Sequence, residues 1–162
     1  MKVDEIMMRN VRSIAPEDTL GTAAQIMWEA DCGAVPVVES DGRLVGIITD
    51  RDICMAAHLQ GAPLRDSHVA SAMARDVKVC SPRDTPATVV AIIQQSKIRR
   101  VPVVDDQGRL IGIITLADLA RLAGSPQAQA ADGISPTSIA HTLAAVSEPR
   151  RARYPGGIPG AR

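Results

Sequence analysis

The sequence predicts an α+β fold made of two copies of one β-α-β-β-α unit packed about a pseudo-twofold axis. Three observations predict it. Residues 6–53 align with residues 72–119 at a constant offset of 66 without a gap, and 20 of the 48 pairs are identical. Within each copy the apolar period changes from helical to strand-like and back. Both copies place a glycine-bearing turn between two β-branched runs, which marks a hairpin. A unit of about 50 residues buries too little surface to stand comfortably alone, so the copies are expected to share an interface. Clefts on such an axis come in pairs, and the repeat interface is where function is sought.

Taken in order, Val3–Met8 reads as a short lead-in helix and Val11–Ile14 as a short strand. Thr19 is a good N-cap for the helix whose apolar stripe is Leu20, Ala23, Ala24, Met27 and Trp28. Val35–Glu39 and Leu44–Thr49 form the hairpin around Ser40-Asp41-Gly42-Arg43, and Asp50–Leu59 closes the unit as a second helix. The second copy repeats this. Its lead-in is Val69–Met73. Thr85 caps a helix with Pro86 at the first position, where a missing N–H costs nothing. Val101–Val104 and Leu110–Thr115 make the second hairpin, and Leu116–Leu122 the closing helix. The expected division is 2–60 for the first repeat, 61–68 for a polar linker and 69–123 for the second repeat. Residues 124–148 are read as linker and a short serine-capped helix, and 149–162 as a disordered tail with four arginines.

Composition narrows the function. Lysine plus arginine equals aspartate plus glutamate at 18 each, so no global charge recommends nucleic acid or an acidic membrane. One Trp, one Tyr and no Phe leave little for bases to stack on. No apolar run approaches the roughly 20 residues of a membrane helix, and the first residues carry no apolar signal region. Three scattered cysteines suit a reducing cytoplasm and read as small core hydrophobes. The three histidines, His58, His68 and His141, lie far from any nucleophile or metal-ligand spacing, so catalysis is not expected.

The chemistry is expected at the strand-to-helix turn. Gly46-Ile47-Ile48-Thr49 and Gly112-Ile113-Ile114-Thr115 are each followed three residues after the threonine by aspartate, Asp52 and Asp118. A helix N-terminus offers free N–H groups to an anion, and a carboxylate in its first turn can accept two hydrogen bonds from a ribose diol. The same residues also spell a capping box with no ligand at all. Retention of the pair in both copies favours ligand binding.

These motifs, with Val-Pro-Val-Val and the Asp-Gly-Arg-Leu turn, resemble the CBS domain, and two in tandem resemble a Bateman module over residues 2–122. The resemblance implies regulation rather than catalysis, paired clefts for adenosine-type ligands (AMP, ADP, ATP or S-adenosylmethionine) and homodimers forming a flat disc. Carried onto this chain, it implies one cleft of Thr49, Asp52, Val77, Lys78, Cys80, Ile98, Arg99 and Arg100. The other comprises Thr115, Asp118, Val11, Ser13, Ile14, Cys32, Gly33 and Ala34. Basic residues before Val-Pro contact phosphate in related modules, so the Arg99-Arg100 cleft is the expected nucleotide site, and Gly33-Ala34 marks a cleft that takes a ligand without phosphate or stays empty. A solvated loop, or ion pairs from the arginines to Asp50 or Glu39, is the alternative.

The expectation is therefore a stand-alone cytoplasmic sensor of an adenine nucleotide, needing no cofactor or metal and signalling to an effector protein still to be identified. A purely structural dimerisation module is the rival; Trp28, at the edge of the stripe, is expected to be partly buried in the core, with a dimer anchor as the sharper alternative. Nucleic-acid binding through the C-terminal arginines is a weaker third reading.

Overall fold

Helix starts fall where a side chain can satisfy the free N–H groups. In the computed structural model, which describes residues 1–126 and 134–149, Thr19 Oγ1 accepts from Thr22 N–H at 3.1 Å and Thr85 Oγ1 from Thr88 N–H at 3.3 Å. They open α1 (Leu20–Glu29) and α3 (Pro86–Ser96). Strands β1 (Ala34–Val38) and β2 (Leu44–Thr49) pair antiparallel, as do β3 (Arg100–Val104) and β4 (Leu110–Thr115). Register follows the sequence repeat, Ala34 opposite Thr49 and Arg100 opposite Thr115, with a bulge after Val37 and after Val103. The turn glycines Gly42 and Gly108 sit at φ +84° and +76°, a region other residues enter at a cost. Helices α2 (Asp50–Gln60) and α4 (Leu116–Ala123) close the two units, and α5 (Pro136–Ser147) follows.

The pseudo-twofold axis is visible in the hydrogen bonds. Leu44 N–H donates to Gly108 C=O and Leu110 N–H to Gly42 C=O, each at 3.0 Å, so the two hairpin turns grip each other reciprocally. Two cores lie on either side. One gathers Leu20, Ile26, Val35, Val37, Ile48 and Ile53, and the other Val89, Ile93, Val101, Val103, Ile114 and Leu119. Fully burying an aliphatic side chain of this size stabilises by about 1.5–3 kcal/mol, so either core outweighs any single polar contact described below.

Two expectations are corrected. Val11–Ile14 is not a strand: only Ile14 pairs, in a single parallel bridge to Val37, because residues 9–13 are spent crossing between the two sheets. The lead-in helices are single 3₁₀ turns, Val3–Glu5 and Val69–Ser71. They are also exchanged. Val3 and Met7 are buried in the core of the second repeat, and Val69 and Met73 in that of the first. Val3 N–H donates to Asp84 C=O at 2.9 Å and Val69 N–H to Asp18 C=O at 2.8 Å. The segment read as a linker is tied down, with Ser67 buried and its carbonyl accepting from Leu20 N–H at 2.8 Å. The tail read as disordered lies outside the described residues beyond Pro149.

This exchange explains the glycine of Gly-Ile-Ile-Thr. A Cβ on Gly46 would lie 2.7 Å from Met73 Sδ and 3.1 Å from Ala74 O. On Gly112 it would meet Met7 Sδ at 2.5 Å and Met8 O at 3.1 Å. Each lead-in crosses its strand where only a hydrogen leaves room.

Candidate functional site

The exchanged segments wall the expected clefts. Ile47 and Ala74 donate to each other's carbonyls at 3.0 and 2.9 Å, and Cys80 then pairs with the second sheet beside Val103. The crossover between them, residues 75–79, runs from the strand that ends in Thr49 to the strand that starts at Arg100. Met8, paired with Ile113, begins the equivalent crossover, which ends at Ile14 beside Val37.

At the end of β2, Thr49 and Asp52 make the full capping box. Asp52 Oδ2 accepts from Thr49 N–H at 2.9 Å and from its Oγ1 at 2.7 Å, while Asp52 N–H donates to Thr49 Oγ1 at 3.3 Å. Thr115 and Asp118 repeat it at 2.8, 2.7 and 3.2 Å. Capping therefore occupies one oxygen of each carboxylate. The second oxygens differ. Asp52 Oδ1 has no hydrogen-bond partner among the described residues, whereas Asp118 Oδ1 holds the Arg121 guanidinium.

Arg99 and Arg100 form neither of the ion pairs weighed as alternatives; neither guanidinium is paired among the described residues. Arg100 reaches across the repeat interface. A Cβ placed on Gly33 would lie 3.1 Å from Arg100 Nη2 and 3.0 Å from Asp50 Oδ2, so these two charges converge on Gly33. Gly33, assigned by resemblance to the Asp118 cleft, thus borders the corner where Arg100 meets the start of α2. The loop carbonyls are also used: Gly33 C=O accepts from Asp50 N–H at 3.4 Å and Arg99 C=O from Leu116 N–H at 2.9 Å.

Other expected lining residues divide. Ile14 and Cys80 are buried, and their backbone groups bond Pro36 and Val38, and Pro102 and Val104. They pack the cores; burial pushes the Cys80 thiol up to about 12. Ala34 is buried at the start of β1, and Val11, Val77, Cys32 and Ile98 are half-buried. Lys78 is exposed and pairs with Asp76 at 2.8 Å. Ser13 lines a concavity of about 350 Å³ with Glu17, Asp18 and Glu39, and Cys32 one of about 300 Å³ with Met27, Trp28, Asp50 and Ile53. No group of three metal-ligating side chains occurs among the described residues, and none of their helices is long and apolar enough to cross a membrane. The sequence reading missed Arg121, although its i,i+3 spacing from Asp118 was the available signal.

The CBS domain family matches residues 3–59 and again 69–125, and the chain belongs to it. Tandem CBS pairs are regulatory modules. Over 120 residues the chain is 37% identical to the CBS domain-containing protein YhcV of Bacillus subtilis, covering 73% of this chain and 82% of that one. It is 35% identical over 128 residues to an inosine-5'-monophosphate dehydrogenase of Methanocaldococcus jannaschii, 78% of this chain but only 24% of the enzyme. In structure it matches the CBS domain pair of protein MJ0100, solved in complex with 5'-methylthioadenosine and S-adenosyl-L-methionine. The TM-score is 0.68 at 30% identity, over 75% of this chain and 98% of the other.

Proposed function

We propose that this chain is a cytoplasmic regulatory sensor of an adenine nucleotide or adenosyl ligand, bound in the cleft of Thr49 and Asp52 and reported to an effector protein. The observation that carries the reading is Asp52 Oδ1, which has no partner among the described residues, in the first turn of the helix whose opening residue, Asp50, converges with Arg100 on Gly33. One free carboxylate oxygen has lone pairs for both hydroxyls of a ribose, and a guanidinium suits a phosphate bidentately. The adenosyl ligands of the MJ0100 pair support the same class. No cofactor is required by this reading, and nucleic acid is not its target. Thermal shift against AMP, ADP, ATP and S-adenosylmethionine tests it. A ligand at 100 times its dissociation constant stabilises by about 2.7 kcal/mol; no shift with any of the four refutes the reading.

A second reading, assembly alone, has its own observation. Trp28 is 85% exposed, Leu59 68% and Met55 39% on the outer face of α1 and α2. We infer that this face pairs two chains, with or without ligand. Sedimentation should give about twice 17.1 kDa, and Trp28→Gln should move it toward the monomer. A wild-type monomer at micromolar concentration refutes this pairing.

A further inference from the structure

Sixty-six residues apart, Met55 and Arg121 occupy the same place on α2 and α4, one turn beyond the aspartate of the capping box. In the first repeat a partly exposed thioether stands there, and Asp52 keeps an oxygen open. In the second, the Arg121 guanidinium sits on Asp118 Oδ1 while Thr115 holds Oδ2, so both oxygens of that carboxylate are taken. Asp118 has only 15% of its side chain exposed. A ribose entering there must first displace a charge-assisted hydrogen bond, and it meets a neutralised acceptor.

We propose that Arg121 is an internal plug that competes for the sugar-binding carboxylate of the second cleft, so that the chain carries one ribose site rather than two. The inference rests on the adenosine-sensor reading above. Arg121 is a specificity-determining residue of the empty cleft, and Met55 is its permissive counterpart. The plug is polar and outward-facing, with 71% of the arginine side chain exposed, so removing it leaves the core intact. Thr115 and the α4 N-terminus of the second cleft are built as in the first, while Gly33 and Ala34 stand where the first cleft has Arg99 and Arg100.

The test is calorimetry with AMP as the probe, using Asp52→Ala to weaken the first cleft. Arg121→Met added to Asp52→Ala should bind AMP more tightly than Asp52→Ala alone, by up to about fivefold, the upper end of the range set by an exposed ion pair. Adding Asp118→Asn to that double variant should abolish the gain, an effect that a merely structural role for Arg121 would not produce. In the reciprocal arm, Met55→Arg on the otherwise wild-type chain should weaken AMP binding by a similar factor, with an unchanged melting temperature and unchanged sedimentation reporting intact folding and assembly. Wild-type protein that binds AMP while Arg121→Met changes nothing overturns the plug and leaves the sensor reading standing. Wild-type protein that binds neither AMP nor adenosine overturns the sensor reading, and the plug with it.

Discussion

The two repeats share a backbone plan to the level of single hydrogen bonds, yet what touches each of them differs. On the second repeat, α5 lies across α3 and α4. Gln94, at the position of Trp28, donates to Thr142 Oγ1 at 2.8 Å, and Lys97 pairs with Glu148 at 2.6 Å. On the first repeat the same helical position carries Trp28, which no described helix covers and which is 85% exposed. At the cleft the contrast reverses: the first repeat's aspartate is open and the second's is engaged by Arg121. Duplication thus kept what holds the chain together, namely caps, turn glycines and exchanged lead-ins. It let drift the residues that decide which face and which cleft meet another molecule.

The sharpest way to break this comparison is to remove the arginine pair that only the second repeat carries before its Val-Pro. Arg99→Ala with Arg100→Ala should cost AMP about 3 kcal/mol of binding free energy, from two charge-assisted contacts of about 1.5 kcal/mol each. Adenosine, which has no phosphate, should bind as before, and the AMP affinity of the unmutated chain should fall as salt rises. Equal losses for adenosine and AMP in calorimetry would mean that the arginines shape the loop.

Next in size is the aspartate pair. Asp52→Ala should weaken AMP by about 2 kcal/mol, whereas Asp118→Ala should leave AMP binding unchanged. Both should lose about 1 kcal/mol of folding stability, since each dissolves a capping box of the same geometry. Calorimetry beside denaturant melts separates the two effects. An affinity loss in Asp118→Ala as large as in Asp52→Ala would show that the clefts are functionally equivalent.

How much of this was legible in the sequence follows from whether the cause was local. Thr19, Thr85 and Pro86 fix helix starts by chemistry confined to one turn, and Gly42 and Gly108 fix hairpins in the same way, so these were readable. The lead-in exchange was not. Nothing in Val3 or Val69 says which core receives it, because the two cores present nearly identical faces and only connectivity decides. Val11–Ile14 has β-forming residues but must cross between sheets, so long-range topology overrides propensity. Of the candidate site, Thr49, Asp52, Thr115 and Asp118 were legible from a repeated motif. The free oxygen of Asp52 was not, since it depends on which side chain arrives one turn later.

A third prediction tests the shared scaffold rather than the divergent sites. Gly46→Ala and Gly112→Ala should each destabilise by about 1 kcal/mol, because the new methyl meets a methionine sulfur and a fixed carbonyl. The costs should match, and Met73→Ala should relieve the first but not the second. Unequal costs in denaturant melts would show that the repeats differ in their cores as well as at their surfaces.

The smallest effect concerns α5, the cover that only the second repeat has. The hydrogen bond from Lys97, reinforced by its charge, holds the Glu148 carboxyl below its ordinary value of 4.5. A carboxyl with a depressed folded value contributes stability above the unfolded value, and that contribution is lost as pH falls through the folded one. The pair is exposed, so salt screens it and the global melt should barely move. The local effect is still specific. Below about pH 4.5 the end of α5 should exchange its amide hydrogens faster, while α1 and α2, which carry no such cover, keep their rates. Glu148→Gln should show the faster exchange already at neutral pH and lose the pH dependence. Exchange at the end of α5 that is indifferent to both pH and Glu148→Gln would mean that Thr142 and the apolar contacts of α5 hold the cover by themselves.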